Sequence, residues 1–120
     1  VYFVINLNKR NKDIKNLVRQ IENTIIKFLK IYRIKSYADK KNIGIWVKRK
    51  KIAAIGIRVS RWVAYHGFSV NIKNNLNDYK KIMPCGLDNE KVTSLKNEEK
   101  IPIKIKKNLK KVFLEHLSKV

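Results

Sequence analysis

The stretch "NIGIWVKRKKIAAIGIRVSRWVAYHGFSVNI", residues 42 to 72, decides the fold. It is dense in Ile, Val, Trp, Tyr and Phe, the residues that suit a pleated and partly buried surface. Its first part, "NIGIWVKRKKIAAIGIRVS", predicts two strands joined by a basic turn at Lys48 to Lys50. Its second part, "RWVAYHGFSVNI", predicts a third strand, in which Trp62, Ala64, His66 and Phe68 alternate with Val63, Tyr65 and Gly67. Gly56 and Gly67 fall inside these runs, where glycine marks a bulge or the close approach of another backbone or a ligand.

Outward from this core the elements change period. "VYFVINL", residues 1 to 7, predicts another strand. "DIKNLVRQIENTIIKFLKIYRI", residues 13 to 34, carries Ile14, Leu17, Val18, Ile21, Ile25, Phe28, Leu29 and Tyr32 at helical steps, with Asn11 or Asp13 as cap. That stripe is core packing rather than a cofactor groove. Downstream, "NLNDYKKIM" predicts a short helix ending at Pro84, and "VTSLKNEE" predicts a helix start with Thr93 or Ser94 as cap. The closing "IKIKKNLKKVFLEHLSKV" is amphipathic, with Ile105, Leu109, Val112, Phe113 and Leu117 on one side. Strand, long helix, three adjacent strands and further helices define an α+β domain, a mixed or antiparallel sheet flanked by helices. No repeat, linker or domain boundary interrupts the 120 residues, which read as one domain.

The composition narrows the function less than its charge suggests. A net charge of +20 would ordinarily point to nucleic acid. Here Lys, Ile and Asn, all served by A/T-rich codons, dominate, and lysine far outnumbers the forked arginine that favours phosphate and base recognition. No apolar run approaches the roughly 20 residues of a membrane-spanning helix. A single cysteine forms no internal disulfide, which makes the reducing cytoplasm the expected compartment. The chain opens at Val1 directly on a strand-like run, which reads as a domain whose N-terminal part is missing.

Candidate chemistry gathers on few residues. One Cys and two distant His make no zinc set, and the glycines at 44, 56, 67 and 86 form no phosphate cradle. Cys85 lies in "KIMPCGL", between Pro84 and Gly86. It is either a packed small hydrophobe or a nucleophile, and a nucleophilic thiol needs a neighbouring cation or base. His66 and Lys51 are the two candidates for that role. A lysine beside Ile and Ala loses solvation, which brings its amine toward proton-shuttling range.

Three segments taken together are more specific than any of these. "KIAAIGIRVSRWVAYHGFSVNI" at 51 to 72, "MPCGL" at 83 to 87 and "VTSL" at 92 to 95 resemble the C-terminal half of the lipoyl(octanoyl) transferases, and "GIWV" at 44 to 47 fits as well. The resemblance implies the catalytic-domain fold of the biotin and lipoate protein ligases. It implies transfer of an octanoyl group from acyl carrier protein to a lysine of a lipoyl domain, on 2-oxoacid dehydrogenase complexes or the glycine cleavage H protein. Cys85 would carry the acyl group as a thioester, and Lys51 would lower the thiol's pKa and move protons. Ala54, Ile55 and Gly56, with Gly67, Phe68 and Ser69, would line the acyl pocket, and His66 is a candidate supporting group. No cofactor, metal, nucleic acid or membrane is implied. The family's upstream Arg-Gly-Gly and His-Gly-Pro-Gly stretches do not occur in this sequence.

A second reading of another class is a non-catalytic basic module for RNA or an acidic protein. It predicts aromatic and arginine platforms on a sheet face, with Trp46, Trp62, Tyr65 and Phe68 as candidates, some of which must instead fill the core.

Overall fold

The computed structural model describes residues 1–74 and 92–120. A five-stranded antiparallel sheet is built from β1 (Tyr2–Asn6), β2 (Tyr37–Ala38), β3 (Ile45–Val47), β4 (Lys50–Ser60) and β5 (Val63–Val70) in the order β1-β5-β4-β3-β2. Two helices, α1 (Ile14–Ile31) and α2 (Ile105–Leu117), pack against each other. The expected antiparallel sheet and its helices are both present, and the short β2 is an addition that no sequence pattern marked.

Helix α1 forms where the apolar stripe predicted it. Asp13 caps its start, its carboxylate oxygen accepting from the Asn16 N–H at 2.9 Å. Leu17, Ile21, Ile25, Phe28 and Leu29 are buried from this helix, together with Ile5 of β1, Ile45 of β3 and Ala64 of β5. Each large aliphatic or aromatic chain removed from water contributes about 1.5–3 kcal/mol. Helix α2 adds Val112, and its Phe113 ring lies 5.8 Å from Phe3 and 6.2 Å from Phe68. The Tyr32 hydroxyl donates to the Ile103 carbonyl at 2.6 Å, so the end of α1 fixes the entry into α2.

Neither of two hairpins carries a usual turn sequence. Val47 and Lys50 flank Lys48 and Arg49, which have φ of 47° and 69°. Ser60 and Val63 flank Arg61 and Trp62, which have φ of 51° and 63°. Positive φ at both central residues matches the right-handed twist of the flanking strands. The third strand therefore starts at Val63, and the expectation that it begins at Arg61 is corrected. "VTSLKNEE" is likewise a turn and not a helix: Ser94 Oγ accepts from Asn97 N–H at 3.1 Å, and the chain leaves again by Lys100. The helix expected over "NLNDYKKIM" lies outside the described residues.

The alternation along β4 and β5 separates two sheet faces. Ile55 pairs with Phe68, and Val59 with Ala64, on the face covered by the helices. Ala54 pairs with Ser69, Gly56 with Gly67 and Arg58 with Tyr65 on the opposite face. Tyr2 and Val4 of β1 pair with Gly67 and Tyr65 and continue this bare face, 90% and 75% exposed.

Gly67 is where β1 comes closest. Its φ is 156°, and an added Cβ would collide with the Val1 carbonyl. Phe68 N–H donates to that same carbonyl at 3.1 Å, so the strand cannot back away without losing its pairing. Gly67→Ala is expected to destabilise the fold by about 3 kcal/mol, from strain and overlap combined. Thermal unfolding followed by circular dichroism checks this; an unchanged melting temperature would refute the close approach.

Candidate active site

Lys51 is the best-built of the candidate residues. Between the pairs Ile45↔Ala53 and Trp46↔Lys51 the register shifts, β3 advancing one residue while β4 advances two. The extra residue is Ile52, and the result is a β-bulge. Its effect on side chains is direct. Ile52 and Ala53 are both buried in the core, while Lys51 pairs with Trp46 on the other face. A strict two-residue alternation would have put Lys51 with Ala53, on the face covered by the helices.

Three further contacts seat the lysine. Gly44 has φ of 138°, and a Cβ there would lie 2.9 Å from Lys51 Cε and 2.8 Å from the Ala53 carbonyl. The lysine stem thus runs over a position that only hydrogen vacates. Lys51 Nζ stands 5.2 Å from the centroid of the Trp46 ring. The ring is itself held, since Trp46 Nε1–H donates to the Asn42 carbonyl at 3.1 Å.

The backbone around Lys51 is also where the chain returns. Val92 makes a parallel bridge to Lys51, and Thr93 N–H donates to the Lys51 carbonyl at 2.9 Å. Asn71, just past β5, ties these together. Its N–H donates to the Ile52 carbonyl at 2.9 Å, its side-chain amide donates to the Thr93 carbonyl at 3.1 Å, and its own carbonyl accepts from Leu95 N–H. Thr93 Oγ1 donates to Glu98 Oε1 at 2.8 Å and closes the turn. Sequence reading missed Gly44, Asn71 and Thr93 as positioning residues. A glycine before an alternating run was the one available signal; a lone Asn after a strand carries none.

The other expected site residues divide by face. Ala54, Gly56 and Ser69 are exposed on the bare face, and Gly67 lies there beneath the β1 backbone. Ile55 and Phe68 point into the helix-covered side, with Phe68 5% exposed. His66 is singular. Its φ of 74° within a strand is rare for a residue with a bulky side chain. It leaves the ring exposed and 4.8 Å from Tyr65, although regular alternation would set the two on opposite faces. Since His66 pairs with Ile57, six positions along β4 from Lys51, the two lie roughly 20 Å apart at strand rise. They do not meet. Cys85 lies outside the described residues. The four aromatics expected of an RNA platform do not share a face: Phe68 is in the core and Trp62 sits at the tip of a hairpin. Among the described residues, no group of His, Cys, Asp and Glu could hold a metal ion, and no helix is long and apolar enough to cross a membrane.

A helix-backed antiparallel sheet agrees with what the chain resembles. Residues 1–118 match the lipoyl protein ligase A/B catalytic domain, and the chain belongs to that family. Among curated relatives, the octanoyltransferase of Rickettsia bellii is 48% identical over 79% of this chain and 49% of its own length. The octanoyltransferase of Wolbachia pipientis is 46% identical over 88% of this chain and 52% of its own. The chain thus spans about half the length of the curated relatives it matches. Among solved structures, the biotin protein ligase of Aquifex aeolicus superposes with a TM-score of 0.72 at 16% identity, over 98% of this chain and 52% of that one. A lipoate-protein ligase A bound with ATP gives a TM-score of 0.75 at 15% identity, over 88% and 47%. These two likenesses define the fold: the catalytic-domain fold of the biotin and lipoate protein ligases.

Gly44→Ala is expected to strain the backbone and to push against both Ala53 and the Lys51 stem, costing about 1–3 kcal/mol. Chemical denaturation reads the loss. Equal midpoints for the two proteins would mean that the Gly44 position tolerates a side chain after all.

Proposed function

We propose that the domain transfers an octanoyl group from acyl carrier protein to a lysine of a lipoyl domain, in the cytoplasm. The observation that carries this reading is the 46–48% identity to octanoyltransferases across most of the chain. Lipoyl domains of 2-oxoacid dehydrogenase complexes and the glycine cleavage H protein are the acceptors in this scheme.

In the first half-reaction the Cys85 thiolate attacks the carbonyl carbon of the carrier-bound thioester. A new C–S bond forms, the old one breaks, and the departing carrier thiolate takes a proton from the Lys51 ammonium. One thioester replaces another, so little free energy is spent. In the second half-reaction the acceptor amine attacks the Cys85 thioester, a C–N bond forms, and Cys85 leaves as thiolate. The proton lost by the amine returns to Lys51, and the amide product makes this step downhill.

Several features support the scheme. Lys51 is held half-buried on the bare face, and the chain comes back to it at Val92, seven positions after Cys85 in sequence. A cation near a thiol favours the thiolate. From Lys51 the bare face continues over Ala54, Ser69 and Gly56, whose small side chains leave room for an apolar chain. Each methylene of an acyl chain contributes about 0.8 kcal/mol when it is buried. Beyond Ala53, β4 pairs only with β5 among the described residues, so alternate backbone N–H groups along its other edge are placed to receive a tetrahedral oxyanion. The basic surface suits acidic carrier and lipoyl domains, which it would steer toward the site.

The test is reconstitution with octanoyl-acyl carrier protein and a lipoyl domain, following the mass of the lipoyl domain. The unsubstituted chain is expected to octanoylate it, Cys85→Ser to abolish transfer, and Lys51→Ala to slow it by about 10²-fold or more. Transfer that persists in Cys85→Ser would remove the covalent route.

A further inference from the structure

Lys51 rests on an aromatic face. Among the described residues no carboxylate lies within salt-bridge distance of it, and its Nζ stands over the Trp46 ring, 5.2 Å from the centroid. Three structural details make that contact a built feature. The bulge at Ile52 brings Lys51 onto the face that Trp46 occupies. The hydrogen bond from Trp46 Nε1–H to the Asn42 carbonyl at 3.1 Å fixes the plane of the ring. The bare Cα of Gly44 lets the lysine stem lie flat beside it.

We propose that Trp46 is the positioning residue for Lys51: its ring face holds the ammonium over the bare side of the sheet. The inference rests on the reading of Lys51 as the proton-carrying residue. The ring quadrupole presents negative potential to a cation above it, and a cation so held is stabilised relative to the neutral amine. Trp46 acts through the lysine.

The test reads Lys51 directly in the full chain. Trace labelling with a limiting amine-acylating reagent, followed by digestion and mass spectrometry, gives the rate at Lys51 relative to exposed Lys73 across roughly pH 7 to 10. Trp46→Leu removes the ring face and is expected to raise the relative rate at Lys51 about two- to fivefold. Trp46→Phe keeps an aromatic face and is expected to restore most of the protection. No change in Trp46→Leu, or an equal rise in both variants, overturns the proposal, because a merely steric support would not distinguish Phe from Leu. If Trp46→Leu does not fold, Lys51→Met in a Trp62→Phe background gives the converse reading. The emission of the remaining Trp46 is expected to shift when the ammonium is lost, and an unchanged spectrum contradicts the contact. Neither readout needs acyl transfer. A chain that labels as expected but transfers nothing loses the catalytic reading while the positioning stands.

Discussion

The ladder between β4 and β5, eight residue pairs from Ala53↔Val70 to Ser60↔Val63, is the constraint on which the rest depends. Its two-residue alternation assigns every side chain of the central strands to one of two faces. One face takes Ile55, Val59, Ala64 and Phe68 beneath the helices. The other is left with Ala, Gly, Ser, Arg and Tyr. A one-residue slip would exchange the two sets, placing Arg58 in the core and Phe68 in water. The helices reinforce the choice, since the stripe of α1 packs with this face in one core.

Against that regular ladder stands one deliberate irregularity. At the start of β4 the bulge inserts Ile52, so that a lysine adjacent to core residues emerges on the bare face. Gly44, Trp46 and the return of the chain at Val92 and Thr93 then hold it from three directions. The strained backbone at His66 is a second departure, at the far end of the same face. It turns an imidazole beside Tyr65 and away from the phenylalanine-rich core. Both irregularities turn polar side chains away from the core.

The sequence made much of this plain, for physical reasons that differ by element. Helix α1 was legible because its stripe repeats over five turns and Asp13 caps it. The strands were legible because β-branched and aromatic residues alternate from Ile45 to Val70. The hairpin turns were not, because Lys48-Arg49 and Arg61-Trp62 adopt positive φ without the Gly or Asn that usually announces it. The cost of left-handed backbone there is met by strand pairing on either side, which no local pattern records. The bulge was invisible for a related reason, since the extra residue is defined by its partner strand. Local sequence therefore offered Lys51 only as one of two candidate partners for the thiol, beside His66, and the resemblance to a family favoured it. Ile55 and Phe68 show the opposite limit: named with the acyl-pocket segments, they alternate onto the core side of the strands that carry them.

The central claim is that this domain carries an acyl group on its single thiol. The most direct measurement is intact mass and peptide mapping of the chain after exposure to octanoyl-acyl carrier protein without an acceptor. The account predicts one octanoyl group, located on Cys85, labile to hydroxylamine as a thioester is, and released by adding a lipoyl domain. An unmodified Cys85 in a folded chain that nonetheless octanoylates the lipoyl domain would contradict it.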